Sequence, residues 1–180
     1  MEKSRSPSGL KHPRSTAFLL AQVGAHAAAQ FAERLREFEL VPAHAGILRA
    51  IAATSGQSQQ QLASLLGMVP SRLVPLLDEL EQRGLVERRD HPDDRRLYAL
   101  HLTDQGATAM TDIGRVARAH DDAICGVLSP AEREELHELL IRLAESQKLK
   151  AGIHPGFARL GEKKPSPSNK RHRTAARARG

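Results

Sequence analysis

The residues best suited to bind another molecule lie in one charged stretch that runs from Arg88 to Arg96. It holds four arginines and three aspartates: Arg88, Arg89, Asp90, Asp93, Asp94, Arg95 and Arg96. Guanidinium groups pair with phosphate oxygens and fit narrow minor grooves of DNA. Charged loops are also common on ordinary protein surfaces, so the flanking elements must decide between these interpretations.

Two short apolar segments flank this charged loop and predict a pair of strands. They run from Leu85 to Arg89 and from Leu97 to Leu102. In the second segment Tyr98, Leu100 and Leu102 recur at period two, so we expect them to share one face. The stretch therefore predicts a β-hairpin with a charged tip.

Two short helices are predicted immediately before the hairpin. Ser58 and Gln61 have the spacing of a capping box, and Gly67 suits the left-handed end of a helix. Pro70 suits the first turn of a second helix, which Gly84 closes. The apolar stripe of that second helix consists of Leu73, Leu76, Leu77 and Leu80. Two short helices around a tight turn predict a helix-turn-helix, and the hairpin after it predicts a winged helix.

In this order and at this spacing, the pieces resemble the winged-helix domain of the MarR family of bacterial transcriptional regulators. The matching pieces are Gln61-Leu62-Ala63, Leu66-Gly67, the run from Asp78 to Val86, the loop from Asp90 to Arg96, and Leu102 to Gly106. The resemblance implies a mainly α fold with a small β-hairpin wing, and an α-helical dimerisation region built from N- and C-terminal helices. We expect it to extend from about residue 15 to about residue 146.

The charge distribution separates a body from a basic C-terminal segment. Residues 148–180 hold ten Lys and Arg and one acid, whereas the rest of the chain has 17 basic and 20 acidic residues. The expected domains are a disordered tail 1–14, a MarR-like domain 15–147 (winged helix about 42–106, dimerisation helices about 15–40 and 104–147), and a disordered basic tail 148–180. The basic tail either contacts phosphates without sequence preference or only aids solubility.

The second helix of the pair is the predicted recognition helix. Its first turn presents Ser71 and Arg72, the best candidates for base edges, since arginine binds guanine in a bidentate manner. A phosphate contact or simple exposure to solvent is the alternative for Arg72. Gln59 and Gln60, at the start of the preceding helix, are positioned for phosphate contacts.

In the wing, the resemblance places the minor-groove arginine at Arg96, with Asp94 holding it by an ion pair. Arg95 is the competing candidate, and both remain open. Arg88 and Arg89 are expected to contact the DNA backbone.

Pro75 departs from the polar or basic residue that the resemblance leads us to expect there. If the recognition helix starts at Pro70, Pro75 removes the hydrogen bond to the Ser71 carbonyl, which costs about 3 kcal/mol in an unsupported helix interior. Either the helix bends, or its first turn is irregular and its true start is later. A functional alternative is apolar contact with a thymine methyl group.

The helices that surround the winged helix carry more apolar surface than one small domain can cover. A two-fold homodimer would bury the surplus and would place two recognition helices about 34–36 Å apart on a palindromic operator. The resemblance implies the same dimer, and a small aromatic or anionic effector between the dimer helices and the winged domain. On this interpretation the candidate effector contacts are His26, His44 and His120.

Other functional classes are disfavoured by what the sequence lacks. Phosphate-binding glycine loops, nucleophile elbows and HExxH pairs are missing, so we expect no enzyme and no cofactor. No His, Cys and acid cluster has metal-ligand spacing, and Cys125 is expected to be buried and inert. Apolar runs are far shorter than the ~20 residues of a membrane span. One cysteine and no apolar signal core favour a cytoplasmic location.

The predicted function is therefore a sequence-specific DNA-binding transcriptional regulator, a repressor that is released by a small molecule. The alternative is a winged-helix module for nucleoid architecture or protein interaction, which would bind DNA without sequence preference through its basic tail.

Overall fold

The computed structural model describes residues 15–90 and 97–159. Within these ranges the elements are α1 (Thr16–Leu35), α2 (Pro42–Ala53), α3 (Gln59–Leu66), α4 (Pro70–Gln82), β1 (Val86–Asp90), β2 (Tyr98–Leu102), α5 (Asp104–Cys125) and α6 (Pro130–Ser146). Short 3-10 helices occupy Arg36–Phe38 and Pro155–Arg159. The predicted class, mainly α with a small hairpin, is confirmed. We call α2, α3, α4 and the hairpin the winged-helix unit.

The core of the molecule is centred on α2. Eight of the twelve residues of this helix are buried, and it packs against α1, α3, α4, β2 and α5. The fully buried side chains around it are Leu35, Ile47, Leu48, Ile51, Leu62, Leu73, Leu77, Leu80 and Leu100. Burial of each such side chain contributes about 1.5–3 kcal/mol relative to leaving it in water, so α2 organises the winged-helix unit.

The hairpin pairs its two strands antiparallel, from Val86 opposite Leu102 to Asp90 opposite Tyr98. Both strands begin within one residue of the prediction. Leu100 is fully buried, whereas Tyr98, on the same face of β2, is 58% exposed. The reason is position, because Tyr98 lies at the outer end of the hairpin, where Asp90 is exposed as well.

Thr103 joins the hairpin to α5. Its hydroxyl donates to the Gly84 carbonyl at 2.5 Å and accepts from the Gly106 N–H at 3.0 Å. Gly106 lies so close to β1 that a Cβ there would be 2.0 Å from the Leu85 carbonyl oxygen. Thr103 and Gly106 are thus required by the contact between α5 and the turn that follows α4. Ser15 and Ser129 cap α1 and α6 in the same manner.

Two long helices remain largely uncovered. Leu35 is the buried residue of α1, and no residue of α6 is buried. Large exposed apolar side chains on these helices are Phe18, Leu20, Val23, Leu136, Leu139, Leu140, Ile141 and Leu143. The surplus apolar surface expected from the sequence is therefore present in the folded chain.

The C-terminal boundary differs from the expectation of a disordered tail that begins at residue 148. Residues 148–157 fold back onto the core, where Phe157 is 8% exposed and Ile153 packs beside it. Apolar burial holds this part in place, although its composition resembles that of the basic segment that follows. Residues 1–14 and 160–180, assigned to tails, lie outside the described residues.

His44, on α2, links that helix to α4. Its Nδ1 accepts a hydrogen bond from the Val41 N–H at 3.4 Å, so the neutral ring carries its proton on Nε2. Nε2 lies 3.3 Å from Glu79 Oε2, although not in good hydrogen-bond alignment. Burial lowers the pKa of His44, and the Glu79 carboxylate opposes only part of this effect. His44 is therefore neutral in the folded chain at pH 7.

A neutral buried histidine makes stability depend on pH. Below pH 6.5 His44 is protonated in the unfolded chain. In the folded chain His44 stays unprotonated until the pH falls to its lowered pKa. We expect the free energy of unfolding to fall as pH decreases from 7 through 6.5 toward the folded pKa. The measurement is urea unfolding at a series of pH values.

His44→Gln should make this dependence shallower, and the exposed His137→Gln should leave it unchanged. Part of the slope will persist, because burial also lowers the pKa of His120. An equal slope in the wild-type and His44→Gln proteins would contradict the assignment.

Candidate nucleic-acid interface

The turn between α3 and α4 is built by local hydrogen bonds. Ser58 Oγ accepts from the Gln61 N–H at 3.2 Å, and Gln61 Oε1 accepts from the Ser58 N–H at 2.7 Å, as the capping box predicts. Gly67 ends α3 with φ +67°, a left-handed conformation that favours glycine. Gln59 is half-buried and Gln60 is exposed in the first turn of α3, where free backbone N–H groups favour anions.

The helix α4 separates a buried face from an exposed one. Leu73, Leu77 and Leu80 are fully buried, while Ser71 and Pro75 are exposed on the opposite side. Arg72 lies beside them and is half-buried. These three predicted DNA-contact residues therefore occupy the outer side of the first two turns.

Pro75 lies inside α4, and the helix begins before it. Val69 is the N-cap, and its carbonyl accepts from the Arg72 and Leu73 N–H groups at 2.9 and 3.3 Å. The alternative of a later helix start is therefore wrong. Since proline has no N–H, the Ser71 carbonyl lacks its helical partner, but Ser71 is exposed and water can satisfy it.

Two of the three acidic residues of α4, Asp78 and Glu81, are paired with an arginine of the hairpin. Arg88 of β1 binds Asp78 at 2.6 Å and also contacts Glu81, and its side chain is only 17% exposed. Arg88 thus fixes the hairpin to α4 through two carboxylates, and its predicted contact with the DNA backbone stays a prediction. Arg89 is 60% exposed and contacts Glu87 on its own strand, so it remains accessible for a phosphate.

The tip of the hairpin contains the charged loop singled out in the sequence. Asp94, Arg95 and Arg96 lie outside the described residues. The last described residues on either side are Asp90 and Leu97, both exposed.

A cavity of about 480 Å³ lies between α1, α2, α5 and the C-terminal segment. Its lining is mostly apolar and includes Phe31, Ile113 and Phe157, with Arg49 and His154 as its polar members. This is the place at which the resemblance predicts an effector, between the dimerisation helices and the winged-helix unit.

The three histidines predicted for an effector do not line this cavity. His26 is exposed on α1, and His44 is buried in its contact with Glu79. His120 is half-buried, with its ring centre 5.4 Å from that of Phe31, which does line the cavity. Sequence reasoning missed Arg49 and Phe157. Arg49 was detectable as the one charged residue of an otherwise apolar α2, and Phe157 as an aromatic residue in a polar segment.

Among residues 15–90 and 97–159, no group of three or more His, Cys, Asp or Glu side chains is arranged to hold a metal ion. No helix in these ranges is long and apolar enough to cross a membrane. Cys125 is half-buried near the end of α5 rather than fully buried.

Comparisons with known proteins agree with this geometry. The MarR family model matches residues 41–98, which cover α2, the helix-turn-helix and most of the hairpin. A Thauera aromatica protein named as a transcriptional regulatory protein for the hcr operon is 37% identical over 115 residues, which cover 63% of this chain and 69% of that protein.

Solved structures share the fold over most of the described chain. The transcriptional repressor CouR, bound to a 23-mer DNA duplex, is 29% identical with a TM-score of 0.67, covering 76% of this chain and 99% of CouR. A probable transcriptional regulator from Pseudomonas aeruginosa is 30% identical with a TM-score of 0.62, covering 72% and 97%. Wild-type MarR from E. coli, at 22% identity and a TM-score of 0.66, covers 74% and 98% and shows the fold.

Members of this family are DNA-binding transcription factors and not enzymes, which confirms the prediction that this chain is not an enzyme. The helix-turn-helix, the hairpin and these relatives together show that the chain belongs to the MarR family of winged-helix transcriptional regulators.

Proposed function

We propose that the protein is a cytoplasmic homodimeric repressor that binds a palindromic operator and is released by a small aromatic acid. The outward face of α4, beside an arginine-bearing hairpin, is the observation that carries this proposal. The repressor role draws support from CouR, which is a repressor bound to a DNA duplex.

Ser71, Arg72 and Pro75 would face the bases, because they lie on the outer side of α4 while its leucines face the core. Gln59, Gln60 and Arg89 would contact phosphates and set the register of the helix on the duplex. Arg96, with Asp94, would enter the adjacent minor groove, and Arg95 is its competitor.

The dimer is supported by the uncovered helices. An apolar stripe runs along α6, with leucines spaced so that they share one face of the helix. None of them is buried: Leu136, Leu139, Leu140 and Leu143. An exposed patch of this kind marks an association surface. Phe18, Leu20 and Val23 of α1 extend the apolar surface that a second copy would cover.

The effector is supported by the cavity between the dimer helices and the winged-helix unit. Its apolar walls suit an aromatic ring, and the Arg49 guanidinium suits a carboxylate. A ligand there would contact α1 and α5 on one side and α2 on the other. Its binding would therefore alter the orientation of α4 relative to the partner subunit.

The DNA interface is tested with the DNA that flanks the protein's own gene. Footprinting should show a protected palindrome, and fluorescence anisotropy should show that Arg72→Ala and Arg96→Ala each weaken binding to it by about tenfold or more, since one arginine contact to a base is worth about 1–3 kcal/mol. Arg95→Ala should have the smaller effect of the two wing variants.

Arg115→Ala is the matched control, because it removes an exposed arginine of α5 that pairs with Asp112. Unchanged affinity in both the Arg72 and the Arg96 variants would contradict the interface. Uniform coating of the DNA without a protected site would favour the nucleoid-architecture alternative.

The dimer is tested by Leu140→Glu, which places a carboxylate in the apolar stripe of α6. We expect the dimer to dissociate at least about tenfold more readily in sedimentation, because a buried unpaired charge is costly. Glu138→Lys, on the opposite face of α6, is the control for a change of charge. A Leu140→Glu protein that stays dimeric at the wild-type concentration would refute this assignment of the interface.

The effector is tested by adding benzoate to the same anisotropy titration. Benzoate should release the wild-type protein from DNA, and Arg49→Met should require about tenfold or more benzoate for the same release, because the charge-assisted contact is lost. Release that is equal in both proteins would exclude Arg49 from the site. An absence of release at millimolar benzoate would exclude this class of ligand.

A further inference from the structure

The chain reverses direction at the end of α6 and returns to the winged-helix unit. Lys148 has φ +55°, and its N–H donates to the Glu145 carbonyl at 2.9 Å, so the helix closes at a left-handed residue. Lys150 Nζ then donates to the Ser64 carbonyl at 3.0 Å, in the last turn of α3. We call residues 148–157 the strap.

The strap ends at Phe157, whose aromatic ring packs into the space that Gly46 of α2 leaves open. We call this space the seat. Phe157 is 8% exposed and belongs to the main apolar core. Its ring lies directly against Gly46 in the middle of α2, where a Cβ would be 2.4 Å from Phe157 Cζ and 2.5 Å from Cε2. Glycine is normally unfavourable inside a helix, and here its missing side chain makes room for the ring.

The strap contacts α2 and α3, two helices that pack against the recognition helix α4. Lys150 binds α3, and Phe157 binds α2, while the cavity that the strap closes is also lined by Ile113 of α5 and Phe31 of α1. Because the strap continues from α6, it connects that helix with the winged-helix unit.

We propose that the strap acts as a brace that holds the winged-helix unit in its DNA-binding orientation. In this brace the ring of Phe157 occupies the seat at Gly46. This inference rests on the proposed function, since the brace acts on DNA affinity. Two recognition helices must engage the duplex at a fixed spacing. A unit that is already held in place loses less freedom on binding, so the brace increases affinity without contacting DNA.

The seat is tested by a double-mutant cycle in thermal unfolding. Gly46→Ala should lower the Tm of the wild-type protein, because its methyl group displaces the ring. In a Phe157→Ala background the same change should raise the Tm, because alanine is the better helix former. A change of the same sign in both backgrounds overturns the seat. If the Phe157→Ala protein does not fold, a Gly46→Ala protein whose Tm is equal to or higher than that of the wild-type protein overturns the seat by itself.

The brace is tested by anisotropy on the footprinted operator. Phe157→Ala and Gly46→Ala should each weaken binding by about fivefold, a coupling of ordinary size, with the dimer intact in sedimentation. Leu149→Ala is the control, because Leu149 is a strap residue that is 49% exposed. All three variants keep the basic segment that follows the strap.

If the Phe157→Ala and Gly46→Ala proteins bind the operator as tightly as the Leu149→Ala protein does, the brace is overturned. Tighter binding overturns it as well, because the strap would then inhibit. If the wild-type protein protects no site, the proposed function fails and the brace fails with it, whereas the stability cycle still decides whether Phe157 occupies the seat.

Discussion

The structure depends on the burial of α2, a helix with almost no free surface. Its sequence alternates small and branched residues, so that Ala43, Ala45 and Gly46 permit close approach while Ile47 and Leu48 fill the core. Because the interior is close-packed, a shift of any neighbouring element must be accommodated across this helix. The positions of α4, the hairpin and the strap are all set against it.

Electrostatics at the recognition helix follow from that packing. The helix α4 carries three acids that would repel a phosphate backbone if they faced it unpaired. Asp78 and Glu81 instead contact Arg88 of the hairpin, and Glu79 lies beside His44 of α2. Asp78 and Glu81 therefore stabilise the contact between α4 and the hairpin. The first two turns of α4, residues 70–76, bear no acid, so their outer side does not repel a phosphate backbone.

The helix α6 is anchored near both ends and open between them. Near its start, Arg133 donates to the Cys125 carbonyl at 3.0 Å and contacts Asp122 at 2.9 Å. Beyond its end, the strap is fixed on α2 and α3. The apolar stripe between these anchors has no cover within the described chain. This arrangement suits a dimer in which the same helix joins the subunits and, through the strap, contacts the winged-helix unit.

The elements and their order follow from local features of the sequence. The helix ends depend on hydrogen bonds between residues three or four apart, so the local sequence encodes them. Examples are the caps at Ser58, Thr103 and Ser129 and the left-handed turn at Gly67. The start of α4 at Pro70 and the hairpin bounds were predictable for the same reason, as was the surplus of apolar surface.

Which charged groups and which rings contact each other depends on the folded chain as a whole. Arg88 lies ten residues from Asp78, Lys150 lies far along the chain from Ser64, and Phe157 lies more than a hundred residues from Gly46. Local patterns assigned Arg88 to DNA and residues 148–157 to a tail, because neither periodicity nor capping encodes a long-range partner. A side chain's role depends on what the packed fold brings to it, and that packing is a property of the whole chain.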